Sequence, residues 1–596
     1  MLEVETNTYK ITSVYITMRD GIRLYTEIYA PVDTTVQYPI MFKRTPYGLR
    51  PYTTNKDTEN PGSSKYMREE KYIFVYQDVR GCYKSEGKFV DVRPLIQNPQ
   101  GTQIDESTDA YDSIDWLIKN IANNNGKVGM WGISYPGFYA ACALHNAHPA
   151  LKAVSPQAPV TDWFFDDFHH HGALFLPHSF SFLEWFGQER KQPTTEANKS
   201  IISYPQKTSF NFYLHDVGFI KNIDTKFFKG RIPFWNQLIE HPDYDDFWKE
   251  RNIHPFMRNI TPAVLVTGGL FDAEDLYGTV QLYKTIETHN PNTKNYFAFG
   301  PWAHGGWAKS TGQSLGDIEF DSKSSPSDFY QKNIELPFFN YFLKGKGTEP
   351  KTEAWVYQTG ENKFRSFSNW LGVSDIPYSM FLLPNNKLST NIANEDTSKV
   401  SFTSDPNNPV PYSQSNSFEM IKEYMVENQK FVASRKDVLN FSTQVFDTSF
   451  TIGGNVFADL YVSTNKTDAD WVVKIIDIFP DTASVIKMKG FMQLVRSEVI
   501  RGRYRYDYSK PQPFVKNKVE KISLELQDVL HTFKPGHKLL VQIHSTWFPL
   551  MDRNPQNYIQ NIYKDAIEKD FVSAVHSVYT NRKYSSKLTF HVVSNQ

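Results

Sequence analysis

The chain has 596 residues, which at roughly 150 residues per domain suggests about four domains or fewer large ones. Its 64 Lys and Arg against 65 Asp and Glu leave a net charge of −1, so the electrostatic footprint of a dedicated nucleic-acid binder is absent. Hydrophobic residues at 40% and aromatics at 15% can build a sizeable core and apolar pockets. No apolar run approaches the ~20 residues of a membrane span, and two cysteines, Cys82 and Cys142, exclude a disulfide-stapled fold or a cysteine zinc cluster.

In chain order, Ile11–Met18 and Arg23–Ile28 flank Arg19-Asp20-Gly21 and predict a β-hairpin. Tyr38–Lys43 and Tyr72–Tyr76 are short apolar runs of the kind found in buried strands. Asp109–Asn120 places Ala110, Ile114, Leu117 and Ile118 at helical spacing. A strand, Lys127–Trp131, then leads through Gly132-Ile133-Ser134-Tyr135-Pro136-Gly137 into an apolar helix, Phe138–His145, and a further strand, Ala153–Ser155. This alternation predicts a parallel sheet of the α/β class.

From about 158 to 258 the texture changes to aromatic- and histidine-rich sequence without strand alternation, which reads as a mainly helical insertion. The α/β pattern resumes with Ala263–Gly268 and Asn295–Gly300 and closes on a helix, Glu335–Leu343. Beyond about 350, short alternating segments (Tyr378–Leu383, Phe457–Ser463, Trp471–Ile478, Lys538–Ile543 and Lys587–Val593) predict a β-sandwich. The first residues, Met-Leu-Glu-Val-Glu-Thr, show no signal peptide.

Gly132-Ile133-Ser134-Tyr135-Pro136-Gly137 carries the strongest chemical signal. It differs from the nucleophile elbow G-x-S-x-G in having its second glycine one place late, yet a serine on a strand-to-helix turn still needs small neighbours where the backbone crowds. Such a serine stands beside helix N-terminal amides able to stabilise an oxyanion. It needs a base, and the base an orienting carboxylate. Asp272 follows the strand Ala263–Gly268 and His304 follows Asn295–Gly300, in the chain order Ser, acid, His of an α/β-hydrolase. None of the other histidines follows a strand in this way. His169-His170-His171 is a poor metal site, because consecutive histidines on a helix point different ways. Nothing in the constellation asks for a cofactor or a metal ion.

The elbow, Tyr76-Gln77-Asp78-Val79-Arg80-Gly81, the stretch Ser155–Gly172, the loop Phe271–Gly278 and Gly300-Pro301-Trp302-Ala303-His304-Gly305-Gly306 together resemble the α-amino acid ester hydrolases. These belong with the cocaine esterases and X-Pro dipeptidyl peptidases in one serine-hydrolase superfamily. The likeness covers nearly the whole chain. It implies an α/β-hydrolase core (1–157 and 259–349), a helical cap (158–258) and a C-terminal jelly-roll β-sandwich (350–596). It also implies Ser134 as nucleophile, Asp272 as orienting acid and His304 as base.

The resemblance further implies two oxyanion donors, the backbone amide of Tyr135 and the hydroxyl of Tyr47 in Arg44-Thr45-Pro46-Tyr47. Read alone, Tyr47 is a core tyrosine after a strand. A cluster of three carboxylates, Asp167, Glu274 and Asp275, would hold a substrate's α-ammonium group, with Asp166 the alternative to Asp167. Read alone, Glu274 and Asp275 are solvated loop charges. The expected activity is hydrolysis of α-amino acid esters and related amides through an acyl-enzyme, with acyl transfer to amines giving peptides or β-lactam amides. The competing readings are a cocaine-esterase-like carboxylesterase without the acidic cluster and an X-Pro dipeptidyl peptidase, whose members usually carry an extra N-terminal domain. A third is a catalytically silent binding protein. The expected partner is a small-molecule substrate, with neither nucleic acid nor membrane. Relatives are often secreted or periplasmic oligomers, and the resemblance suggests a homo-oligomer in such a compartment.

Overall fold

The computed structural model describes residues 3–5, 8–49, 61–205, 208–321, 323–371 and 377–594, so Met1, Leu2 and Thr6 of the stretch read for a leader lie outside the described residues. In chain order its first sheet is built from β1 (Glu3–Glu5), β2 (Tyr9–Thr17), β3 (Arg23–Pro31), β4 (Tyr38–Thr45), β5 (Ile73–Asp78), β6 (Asn124–Ser134) and β7 (Leu151–Pro159). It continues with β8 (Ala263–Gly269), β9 (Asn295–Gly300), β10 (Ala354–Gln358) and β11 (Lys363–Phe367). The spatial order is β1-β2-β3-β5-β4-β6-β7-β8-β9-β10-β11. The neighbours from β5 to β10 run parallel and the outer strands antiparallel. Residues of β5, β8 and β9 are buried throughout, as expected of parallel strands covered on both faces. The strands β10 and β11 lie past the boundary expected at 349, because Phe297–Phe299 of β9 recruit Ala354–Val356 as a further parallel neighbour.

The helix α1 (Glu106–Asn120) begins three residues before the apolar periodicity does. Asp105 caps it: its Oδ1 accepts from the Thr108 N–H at 2.8 Å, and the Thr108 hydroxyl accepts from the Asp105 N–H at 2.8 Å. This reciprocal cap satisfies two otherwise orphaned donors before any side chain is buried. Arg80, from the Tyr76–Gly81 segment, donates to Asp109 of α1 at 2.8 Å and to Asp20 of the first hairpin at 2.7 Å, locking the helix onto the sheet edge. The short helix α2 (Tyr135–Cys142) leaves the end of β6 directly.

Short helices occupy the region after β7, chief among them α3 (Leu176–Phe186). The three histidines there are not helical: His169-His170 pairs with Ala173-Leu174 as a minimal antiparallel ribbon. His170 and His171 share Glu498 as a partner, whereas His169 packs apart from them. His169 packs on Phe164 and Trp248, His170 Nδ1 meets Glu498 Oε1 at 3.1 Å, and the His171 carbonyl accepts from the Arg501 N–H at 3.1 Å. From β8 the chain enters α4 (Leu276–His289).

The C-terminal half is a second, β-rich unit. Its long strand Phe450–Thr464 pairs antiparallel with Glu520–Phe533, and Asp470–Ile478 lies between Met492–Arg501 and Lys538–His544. Buried Arg501 holds Asp470 at 3.1 Å and Asp552 at 2.7 Å, while Asp552 also accepts from the Leu174 N–H at 2.9 Å. Arg501→Met leaves two buried carboxylates without a counter-ion. It is expected to cost about 3–5 kcal/mol of stability, read as a lower denaturation midpoint. A loss below about 1 kcal/mol would mean that the network is not needed for stability.

Candidate active site

Ser134 is the last residue of β6 and adopts φ 69°, ψ −132°, a strained backbone that lifts it out of the strand before α2 begins. The two flanking glycines are required by close approach. A Cβ on Gly132 would stand 2.2 Å from the Pro136 carbonyl oxygen, and one on Gly137 would stand 2.6 Å from that of Gln157. The late second glycine of the elbow therefore has a local cause: it faces β7 where the helix crosses it. Tyr135 opens α2, so its backbone N–H is one of the first-turn donors that has no partner within the helix. Its ring is buried against Trp163 and Phe138, with its hydroxyl accepting from the Val92 N–H at 2.7 Å.

Tyr47 follows β4, its N–H donating to the Thr45 hydroxyl at 3.1 Å and its ring lying on Trp185 and edge-on to Phe186 of α3. It lines the same cavity as Ser134, and burial, reinforced by the nearby Asp167, pushes its hydroxyl well above the usual phenol range. At neutral pH it is therefore a donor.

His304 stands in the loop after β9. Its Nδ1 lies 2.9 Å from Asp272 Oδ2 and 3.1 Å from Oδ1. Asp272 Oδ1 also accepts from the backbone N–H groups of Glu274 and Asp275, both at 3.0 Å. Burial by itself would favour the neutral acid. The imidazole and the two amides outweigh it and hold Asp272 below the ordinary carboxylate range. For His304 burial disfavours the charged ring, but Asp272 and Glu274 together push it up to about 9. Its Nε2 lies 3.6 Å from Glu274 Oε2, and among the described residues no hydrogen bond joins it to Ser134. Such bonds often tighten only with substrate in place.

Ser134, His304, Tyr47, Asp167, Glu274, Phe182 and Trp185 line one cavity of about 630 Å³. Asp167, at φ 59°, reaches it from the segment before α3, whereas Asp166 turns inward and accepts from the Gly278 N–H. Asp275 is fully buried and is not on the wall. Neither of its oxygens has a hydrogen-bond partner, and burial followed by the charges of Asp167 and Asp166 raises it well above the ordinary carboxylate range, so it lies beneath the site as a carboxyl held toward its neutral form. The sequence contained no pattern pointing to two further residues. His178 of α3 bonds Asp167 Oδ1 through Nε2 at 2.9 Å, and Trp163 Nε1–H donates to Oδ2 at 2.9 Å. One polar atom each of Asp167, His178 and Glu274 lie within 4.8 Å of one another, a spacing that suits one small cation. The only available signal was the aromatic richness of 158–258.

The profile of the X-Pro dipeptidyl-peptidase family (S15 family) matches residues 20–306, and that of the X-Pro dipeptidyl-peptidase C-terminal non-catalytic domain matches 344–589. The fold superposes on the crystal structure of an aminopeptidase from a marine sediment Thaumarchaeota archaeon with TM-score 0.92 at 33% identity, covering 100% of this chain and 98% of that one. An α-amino acid ester hydrolase superposes with TM-score 0.91 at 32% identity, covering 99% of this chain and 98% of that one. Cocaine esterase of Rhodococcus sp. (strain MB1 Bresler) is 24% identical over 99% of this chain and 100% of its own length.

Proposed function

The chain belongs to the S15 family of serine hydrolases, and from that premise we propose that it cleaves esters and related amides of α-amino acids whose α-amino group is free. The observation that carries this reading is the placing of two carboxylates, Asp167 and Glu274, on the same cavity wall as Ser134 and His304. Such a wall favours a substrate ammonium and disfavours an acyl group that is neutral or anionic there. Two structural relatives named for acting at amino-acid substrates, an aminopeptidase and an α-amino acid ester hydrolase, support it.

In the proposed reaction His304, oriented by Asp272, takes the Ser134 proton as the hydroxyl attacks the acyl carbon. The oxyanion collects hydrogen bonds from the Tyr135 amide and the Tyr47 hydroxyl. Collapse expels the alcohol or amine, which takes the proton from His304, and leaves an acyl-enzyme. Water then releases the amino acid; an amine in its place would yield an amide, the acyl-transfer outcome.

N-Acetylation of the substrate removes its charge and should lower kcat/KM about 10–100-fold, the value of one charge-assisted hydrogen bond. Equal rates for free and N-acetylated methyl esters would leave a general carboxylesterase, as the cocaine-esterase relative would have it. Tyr47→Phe keeps the ring packed on Trp185 while deleting the hydroxyl. It should lower kcat about 10²–10³-fold with KM little changed. A kcat within about threefold of the parent would return Tyr47 to a packing role.

A further inference from the structure

Glu274 has two neighbours of different function. On one side it stands with Asp167 and His178 around the space proposed for the ammonium. On the other, its Oε2 lies 3.6 Å from His304 Nε2, the nitrogen that must be unprotonated to receive the Ser134 proton. Resting on the ammonium reading above, we infer that Glu274 couples recognition to catalysis: without substrate it holds the proton on His304, and a substrate ammonium seated against Asp167 and Glu274 takes over that carboxylate and frees the imidazole to act as base.

The charge balance is simple. Binding brings one positive charge to the carboxylate pair, and one proton leaves His304 Nε2 for solvent. The net charge of the cavity is conserved, so the ammonium replaces the imidazolium as partner of Glu274. The other groups facing His304 do not change in this exchange. Asp272 stays on Nδ1 at 2.9 Å. Asp275 lies 3.8 Å from the same nitrogen, with burial and the charges of Asp167 and Asp166 raising its carboxyl well above the ordinary range. Lys309, on the turn that follows, opposes the ring's charge, and His178 of α3 is turned to Asp167. Among the described residues, Glu274 is thus the one carboxylate near His304 that also lines the ammonium space. The elevation of His304 to about 9, with Glu274 among its causes, agrees with a free enzyme in which the base is mostly protonated at neutral pH.

Two substrates that differ only at the amine separate the arms of this scheme. An N-acetylated ester cannot displace the proton, so its kcat should climb about tenfold per pH unit between pH 6 and 8 and level off near 9, where His304 loses its proton. For the free-amine ester, kcat reports the bound complex and should level off at least one unit lower. These profiles need only the parent protein. In Glu274→Gln the amide neither holds the imidazolium nor pairs with the ammonium. Removing a charge at this distance lowers the imidazole pKa by about one unit. Hydrolysis of the N-acetylated ester at pH 7 should therefore rise about tenfold while that of the free-amine ester falls about tenfold or more. Coincident pH limbs of kcat for the two substrates, or a Glu274→Gln variant that loses activity on both, would overturn the coupling while a preference for the free amine left the substrate reading standing. No preference for the free amine in the parent protein would overturn both.

Discussion

Ser134→Ala is expected to remove turnover almost completely, by about a million-fold in kcat, because the acyl-enzyme route disappears and the remaining triad members cannot act without a nucleophile. The remnant, some 10³–10⁴-fold above the reaction in water, would come from binding and the oxyanion donors. The fold should survive. The Ser134 side chain makes no cap hydrogen bond to α2, and alanine at φ 69° bears no more backbone strain than serine does. The loss therefore reads as chemistry and not as unfolding, provided that the melting temperature stays within a few degrees of the parent. Intact-protein and peptide mass spectrometry after a fluorophosphonate probe should find one adduct on the peptide containing Ser134, and none in the variant. An adduct on another serine, or turnover within about tenfold of the parent, would refute the assignment.

Asp272→Asn should lower kcat about 10⁴-fold with the loop intact, and the geometry gives the reason atom by atom. Asp272 Oδ1 is bound by the N–H groups of Glu274 and Asp275. Those two donors need an acceptor, so in the variant the asparagine carbonyl takes that place. The amide NH₂ then stands where Oδ2 was, 2.9 Å from His304 Nδ1. A donor there turns Nδ1 into an acceptor and moves the ring proton to Nε2, the nitrogen that should receive the serine proton. The imidazole is held in place in the wrong tautomer. Steady-state kinetics with the folded variant tests this. A kcat near that of the parent would assign the orienting role elsewhere, with Asp275, 3.8 Å from Nδ1, as the nearest substitute.

Much of this site is legible in the chain because an α/β sheet converts local order into position. A parallel strand announces itself as a short apolar run, and the loop after its C-terminal end opens on the same edge of the sheet. Once Ala263–Gly269 and Asn295–Gly300 are recognised as strands, Asp272 and His304 are placed next to Ser134 with no knowledge of side-chain packing. The elbow is equally local, since Gly132 and Gly137 record backbone contacts within one strand-turn-helix unit and its neighbouring strand.

What had no local trace depended on side chains brought together from distant segments. Whether a carboxylate of the Phe271–Asp275 loop faces the cavity or the core turns on one residue of rotation, and Glu274 faces out while Asp275 is sealed inside. Asp167 prevails over Asp166 because Trp163 and His178 hold it at the wall, and neither residue is distinguishable in sequence from its many aromatic and histidine neighbours. The continuation of the first sheet past residue 349 likewise needed β9 to offer an unpaired edge. The sequence by itself therefore determined the class and the chain order of the strands whose loops carry Ser134, Asp272 and His304, the residues proposed as nucleophile, acid and base. The tertiary structure alone decided which charges share a cavity, because burial and charge–charge distance are properties of segments far apart in the chain. Those distances raise His304 to about 9 and Asp275 well above the ordinary carboxylate range, and on them rests the proposed link between Glu274 and the base.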